Sequence, residues 1–245
     1  MLGMTTTSDP GMTGFKDIAD ALGGGIRENS LVFIEGAART GKSILSQHIA
    51  CGVLHYKDSA VAYYSYDYNS ETLLEQMNSM SLDVRHDLVT DRFRVYKMGT
   101  PFTFKGAEKS LKIIIRHIMA LPFRFKLIII DSPSPYLIHL NPMYKLDFLD
   151  ICKQLATGER SIILTLDSHV FENNTQIRAF EMSDYYLRLK SQDMMLEKGH
   201  YDTRIIKSLE IIKLGGAERW GAEPCKFEIK PGVGIQILPL MRIRV

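Results

Sequence analysis

Gly36, Lys42 and Ser43 stand at the spacing GxxxxGK[ST], inside the stretch EGAARTGKS from Glu35 to Ser43. Residues of these types at this spacing can grip a polyphosphate. Gly36 and Gly41 let the backbone curl, so that the N–H groups of Ala37, Ala38, Arg39 and Thr40 face an anion. A helix starting after Gly41 adds unpaired N–H groups and the positive end of its dipole. Lys42 is placed to reach the β and γ phosphates, and the Ser43 hydroxyl to complete the shell of a Mg²⁺ ion. The bland alternative is a glycine-rich strand-to-helix turn carrying an exposed lysine.

A triphosphate site also needs a carboxylate at the end of another strand to fix the metal's shell. Asp131 closes the apolar run LIIID and is that candidate; a carboxylate there without a metal or partner would be costly to bury. The expected cofactors are therefore ATP and Mg²⁺, with Ser43 and Asp131 as the metal's side-chain ligands. Hydrolysis asks for more, namely a group that positions the attacking water and positive charge at the transition state. Asp67, in YYSYDYN, is a weak candidate for the first role, and Asp167, at the end of SIILTLD, is another.

The elements that must hold these residues alternate. SLVFIE (Ser30–Glu35), AVAYYSY (Ala60–Tyr66), RFRVYKM (Arg92–Met98), KLIIIDS (Lys126–Ser132) and SIILTLD (Ser161–Asp167) read as strands. Helical spacing of apolar residues marks the stretch after Lys42, Leu73–Met80, Ala107–Ala120 and Met143–Ala156. Strand and helix in turn give a mostly parallel sheet with both faces covered. Pro133 and Pro135 are expected to end the strand that carries Asp131. Beyond residue 183 the pattern changes. Asp184–Lys190, Thr203–Leu214, KFEIK and GIQIL all read as strands, with PGVG (Pro231–Gly234) at hairpin spacing. These form an antiparallel extension of the same sheet.

The segment GFKDIADALGGGIRENSLVFIEGAARTGKSILSQHIACGVL, LIIIDSPS, LEIIKLGGAE and PGVGIQILPLMRIRV together resemble RecA-superfamily ATPases of the circadian-clock KaiC type. Within them the chain is similar to the accessory ATP-binding proteins of the archaellum, the archaeal flagellum. The likeness runs from Gly14 almost to the end; GGGI before the loop and GIQILPL at the terminus narrow it. It implies a RecA-like P-loop NTPase core over residues 15–245, with a homo-oligomeric ring holding nucleotide near subunit boundaries. It also implies a cytoplasmic place beneath the motility organelle, through docking onto the motor ATPase and the membrane platform protein. Nucleotide binding in such relatives is thought to regulate assembly, with weak or absent turnover. Two departures point the same way. Relatives carry a glutamate where Asp67 is one methylene shorter, and a 1 Å misplacement costs on the order of a hundredfold in rate. Their KLRG segment, whose basic residues reach a neighbour's nucleotide, is KLGG here. Lys213 keeps the candidate trans contact while Gly215 takes the arginine's position, with Arg219 as a candidate substitute.

Bulk composition bounds the rest. Thirty basic and 28 acidic residues give a net charge of +2, which argues against a broad nucleic-acid surface. An active RecA-like ATPase on nucleic acid and an autophosphorylating clock-like regulator stand as alternatives of different class. Cys51, Cys152 and Cys225 are scattered, as in a reduced protein without structural zinc. Residues 1–14, rich in Thr, Ser, Gly and Pro, read as a flexible tail, and Phe15–Gly24 as a short helix. No apolar run approaches the ~20 residues of a membrane span, so no direct membrane insertion is expected. His48 and His55 read as ordinary helix residues, Tyr63 and Tyr64 as sheet packing, and Tyr66 or Tyr68 as neighbours of the nucleotide. Lys145, Lys153 and Arg160 read as solvated. Met194 and Met195 fall in a polar stretch between strands that is a candidate partner-facing loop.

Overall fold

The computed structural model describes residues 25–101, 103–158, 160–194, 204–215, 217–218 and 224–238. The expected tail, the helix at 15–24, Met195, Arg219 and the closing residues 239–245 lie outside them.

Among the described residues six strands run parallel: β1 (Leu31–Gly36), β2 (Ala60–Ser65), β3 (Phe93–Lys97), β4 (Phe125–Asp131), β5 (Ser161–Asp167) and β6 (Tyr185–Met194). Their order across the sheet is β6-β1-β5-β4-β2-β3, with every neighbouring pair parallel. β1 and β2 are buried at every position, as near-continuous apolar strands must be when helices cover both faces. Alternate residues supply two cores. Leu31, Phe33, Ile128, Ile130, Ile162 and Leu164 face one way; Val32, Ile34, Leu127, Ile129 and Ile163 face the other.

The second core is closed by α1 (Lys42–Tyr56) and α2 (Ser70–Ser79) through Leu45, Ile49, Val53, Leu73 and Met77. The short α3 (Arg85–Val89) leads into β3. The first core is closed by α4 (Phe104–Ala120), α5 (Ser134–Leu137), α6 (Pro142–Thr157) and α7 (Asn173–Met182). Side-chain caps start three of these helices: Asn69, Thr103 and Asn141 accept from the N–H groups of Thr72, Gly106 and Tyr144.

The chain then reverses. β7 (Arg204–Leu214) lies antiparallel to β6, β9 (Cys225–Lys230) to β7, and β10 (Gly234–Ile237) to β9, while the two-residue β8 (Ala217–Glu218) pairs with β7. Leu209 and Phe227, with Ile229, Ile235 and Ile237 beside them, pack into the core that holds α1. His48 of α1 fixes β10, its Nε2 accepting the Ile235 N–H at 3.0 Å. Gly234 permits that approach, since a Cβ there would sit 2.5 Å from the same nitrogen.

The alternating pattern and the antiparallel extension are therefore as the sequence indicates, with specific corrections. β6 continues through Ser191–Met194, part of the stretch expected to be loop, because the first half of β7 pairs with it there. The prolines after β4 do not simply stop a strand; Pro133 precedes a turn of helix, α5. α3 and α7 carry too few apolar residues to be noticed, and α7 buries only Thr175 and Ala179. Nor are two of the three basic side chains solvated, while Lys153 is only half-buried. Lys145 is buried and donates to the Val170 carbonyl at 3.0 Å. Arg160 is buried and donates to the carbonyls of Ile118 and Leu121, at the end of α4 where helical carbonyls lack partners. Lys153 pairs with Asp184 at 2.6 Å. His48 and His55 have unrelated partners, His55 Nδ1 lying 2.8 Å from the Cys51 carbonyl of its own helix.

Candidate functional site

The loop between β1 and α1 is shaped by three backbone demands. Gly36 has no room for a side chain: a Cβ would lie 2.5 Å from Thr40 Oγ1 and 2.7 Å from the Leu189 carbonyl. Gly41, at φ 103°, turns the chain into α1 as its N-cap without a side-chain cap, so the first helical N–H groups stay directed at the loop. Arg39 holds φ 64°, a left-handed conformation that costs a residue with a Cβ about 1 kcal/mol or more. Its carbonyl accepts from Lys207 Nζ, on β7, at 2.5 Å.

Lys42 points back into this loop. Its ammonium donates to the carbonyls of Gly36 at 2.7 Å and Ala37 at 3.0 Å, and pairs with Asp167 Oδ1 at 2.9 Å. An ammonium has three protons, and these three acceptors use them. The strand order explains Asp167: β5 lies directly beside β1, with Asp167 in register with Gly36.

On the far side of β5, β4 delivers Asp131. Its Oδ1 accepts from Ser43 Oγ at 3.0 Å and Thr165 Oγ1 at 2.6 Å, and its Oδ2 from Tyr63 OH at 2.6 Å. Burial pushes its pKa up, the three hydroxyls pull it down, and the nearby charge of Asp67 raises it again. The Tyr63 phenol is pushed well up by burial and by Asp131, so it remains a donor. A buried carboxylate held by three neutral hydroxyls, with no cationic side chain among the described residues paired to it, is a site that a divalent cation would stabilise. Ser43 and Asp131 are hard oxygen donors in mutual contact and fit Mg²⁺. Asp67 is exposed, one residue past Tyr66, whose N–H donates to the Asp131 carbonyl at 2.7 Å.

Lys213 is brought to none of these groups. It pairs in register with Tyr186, which pairs with Phe33, three residues before the loop begins. Its ammonium donates to the carbonyls of Phe180 and Glu181 at the end of α7, both at 2.9 Å. Gly215 is left-handed at φ 58°, and the Arg27 guanidinium fills the space a side chain would take, 2.8 Å from the Cβ position.

Sequence reading overlooked three contributors. Tyr63 looked like sheet packing, and Lys207 carried no motif. Thr165 left a signal, a hydroxyl inside the otherwise apolar run SIILTL. Glu35, just before the loop, is also buried and accepts from Tyr186 OH at 2.5 Å.

A family model described as "ATPase: KaiC" matches residues 11–242. The chain is 26% identical, over 231 residues, to the archaeal flagellar ATP-binding protein FlaH of Sulfolobus acidocaldarius, covering 93% of this chain and 96% of that one. It is 38% identical over 74 residues to the protein of the same name from Methanocaldococcus jannaschii, covering 30% of this chain and 31% of the other. The crystal structure of the flagellar accessory protein FlaH from M. jannaschii superposes with a TM-score of 0.72 at 20% identity, over 91% of this chain and 95% of that one.

Proposed function

Because the chain belongs to the KaiC family of ATPases, we propose that it is an ATP-binding accessory subunit of an archaeal flagellar motor, in which nucleotide occupancy favours assembly. The observation that carries this reading is the meeting of Lys42, Ser43 and Asp131 at one loop, with the Ser43 hydroxyl on the Asp131 carboxylate. The two relatives named as archaeal flagellar ATP-binding proteins support the flagellar assignment. Gly36 to Ser43 hold the phosphates, and Ser43 with Asp131 hold Mg²⁺, which supplies neutralising charge when bound. Lys42 exchanges the carbonyls of Gly36 and Ala37 and the Asp167 carboxylate for phosphate oxygens.

That exchange sets Asp167 free. Its side chain is 52% exposed, so its release alters a surface that a partner can read. ATP shifts assembly only as far as it binds the assembled form more tightly. The partners, inferred from the resemblance, are further copies in a ring, the motor's ATPase and its membrane platform protein, at the cytoplasmic side. No helix among the described residues is long and apolar enough to cross a membrane.

Turnover in this proposal is slow or absent, since Asp67 is exposed and short and the Lys213 ammonium is held by the carbonyls of Phe180 and Glu181. Calorimetry on the folded protein is expected to show Mg²⁺-dependent ATP binding that falls at least a hundredfold in Lys42→Ala. Unchanged affinity in that variant refutes the site. Hydrolysis at about 1 s⁻¹ or faster, the low end of ordinary enzymes, refutes the regulatory reading.

A further inference from the structure

The antiparallel extension touches the phosphate loop at its most constrained point. Lys207 comes from the middle of β7, is buried, and its Nζ donates to the carbonyl of Arg39. Arg39 is the loop's left-handed residue with a side chain, at φ 64°. The same strands back the next turn: at Gly41 a Cβ would meet Ile229 Cδ1 at 3.0 Å, Lys207 Cδ at 3.6 Å and Phe227 Cε2 at 3.9 Å. Across a trans peptide the carbonyl and the following N–H point in opposite directions. Holding the Arg39 oxygen on the β7 side therefore aims the Thr40 N–H into the loop, where it donates to the Ala37 carbonyl at an N···O distance of 3.4 Å, an acceptor that Lys42 also contacts.

We propose that Lys207 is a positioning residue for nucleotide binding, which holds the Arg39–Thr40 peptide in the orientation that presents the loop's amides to phosphate. Its ammonium offsets the cost of a left-handed arginine by a charge-assisted hydrogen bond, and it makes β7 part of the nucleotide site. The role rests on the phosphate-site reading and deepens it. Glycine adopts the left-handed region without that cost, so the need for Lys207 must depend on what stands at position 39.

The test is a double-mutant cycle in the full-length protein, with MgATP affinity by calorimetry and folding checked by thermal melting. Lys207→Met is expected to weaken MgATP about tenfold, the size of a lost charge-assisted bond, and Lys207→Arg to restore most of the affinity. In the Arg39→Gly background the same Lys207→Met change should cost less than twofold. Equal losses in both backgrounds, or none in either, overturn the proposal, since a merely structural lysine would not respond to position 39. Lys207→Gln serves if the methionine variant does not fold. Amide exchange in nucleotide-free protein gives a second reading: Lys207→Met should speed exchange at Thr40 and Gly41, and less so with Arg39→Gly. If the wild-type chain binds no MgATP, the proposed function falls while the exchange comparison still decides the role of Lys207.

Discussion

His48 offers a quantitative test of how the extension is fastened to the loop's helix. It is 3% exposed, and its Nε2 must be unprotonated to accept the Ile235 N–H; a protonated ring would set donor against donor. Burial lowers its pKa from 6.5 to about 4. The unfolded chain takes up this proton as pH falls through 6.5, the folded chain only near 4, so every unit between favours unfolding by about 1.4 kcal/mol. The contribution is fully present above pH 6.5. About 1.4 kcal/mol is gone at pH 5.5 and about 2.5 kcal/mol at pH 4.5, out of a total of about 3 kcal/mol. Urea denaturation of wild type and His48→Gln across pH 4–8 isolates the effect, because every other titrating group is common to both. Glutamine can accept the same N–H and carries no charge. The stability difference between the two should shrink, or reverse, by about 3 kcal/mol as pH drops from 7 to 4. A difference that stays flat refutes the neutral, buried clamp.

Asp131→Asn should leave nucleotide-free stability at pH 7 unchanged or raised, because a buried charge without a cation is removed, while Mg²⁺-dependent ATP affinity drops at least tenfold. Thermal melts and calorimetry on one preparation would check both, and a large loss of stability would show that the carboxylate is structural. Gly36→Ala forces a Cβ against Thr40 Oγ1 and the Leu189 carbonyl. It should cost about 2 kcal/mol or more and abolish ATP binding, whereas binding within twofold of wild type would contradict the packing described.

What the sequence disclosed follows from how locally each feature is encoded. The loop, the strand before it and the helix after it occupy adjacent residues, and Asp131 is announced by four apolar residues, Leu127–Ile130. The wider carboxylate site was hidden because its hydroxyls come from strands far apart in sequence: Tyr63 and Thr165 meet Asp131 only through the order β5-β4-β2. Long cationic side chains misled for a related reason. Lys145, Arg160, Lys207 and Lys213 lie in polar or alternating stretches, yet each folds its apolar stem inward to reach a backbone carbonyl. Where Lys213 sits relative to the loop depends on the antiparallel register with β6, a property of pairing that no local pattern carries.

The hold of β7 on the loop has a consequence for biosynthesis. Arg39 and Lys207 are 168 residues apart, so the loop leaves the ribosome early and its brace late. A nascent chain complete through β6 has all six parallel strands but neither Lys207 nor the Ile229 and Ile235 contacts. Such a chain would meet cellular ATP with an unsupported loop. Competence to take up nucleotide would then arrive only once β7 and β9 have followed the six parallel strands out of the ribosome.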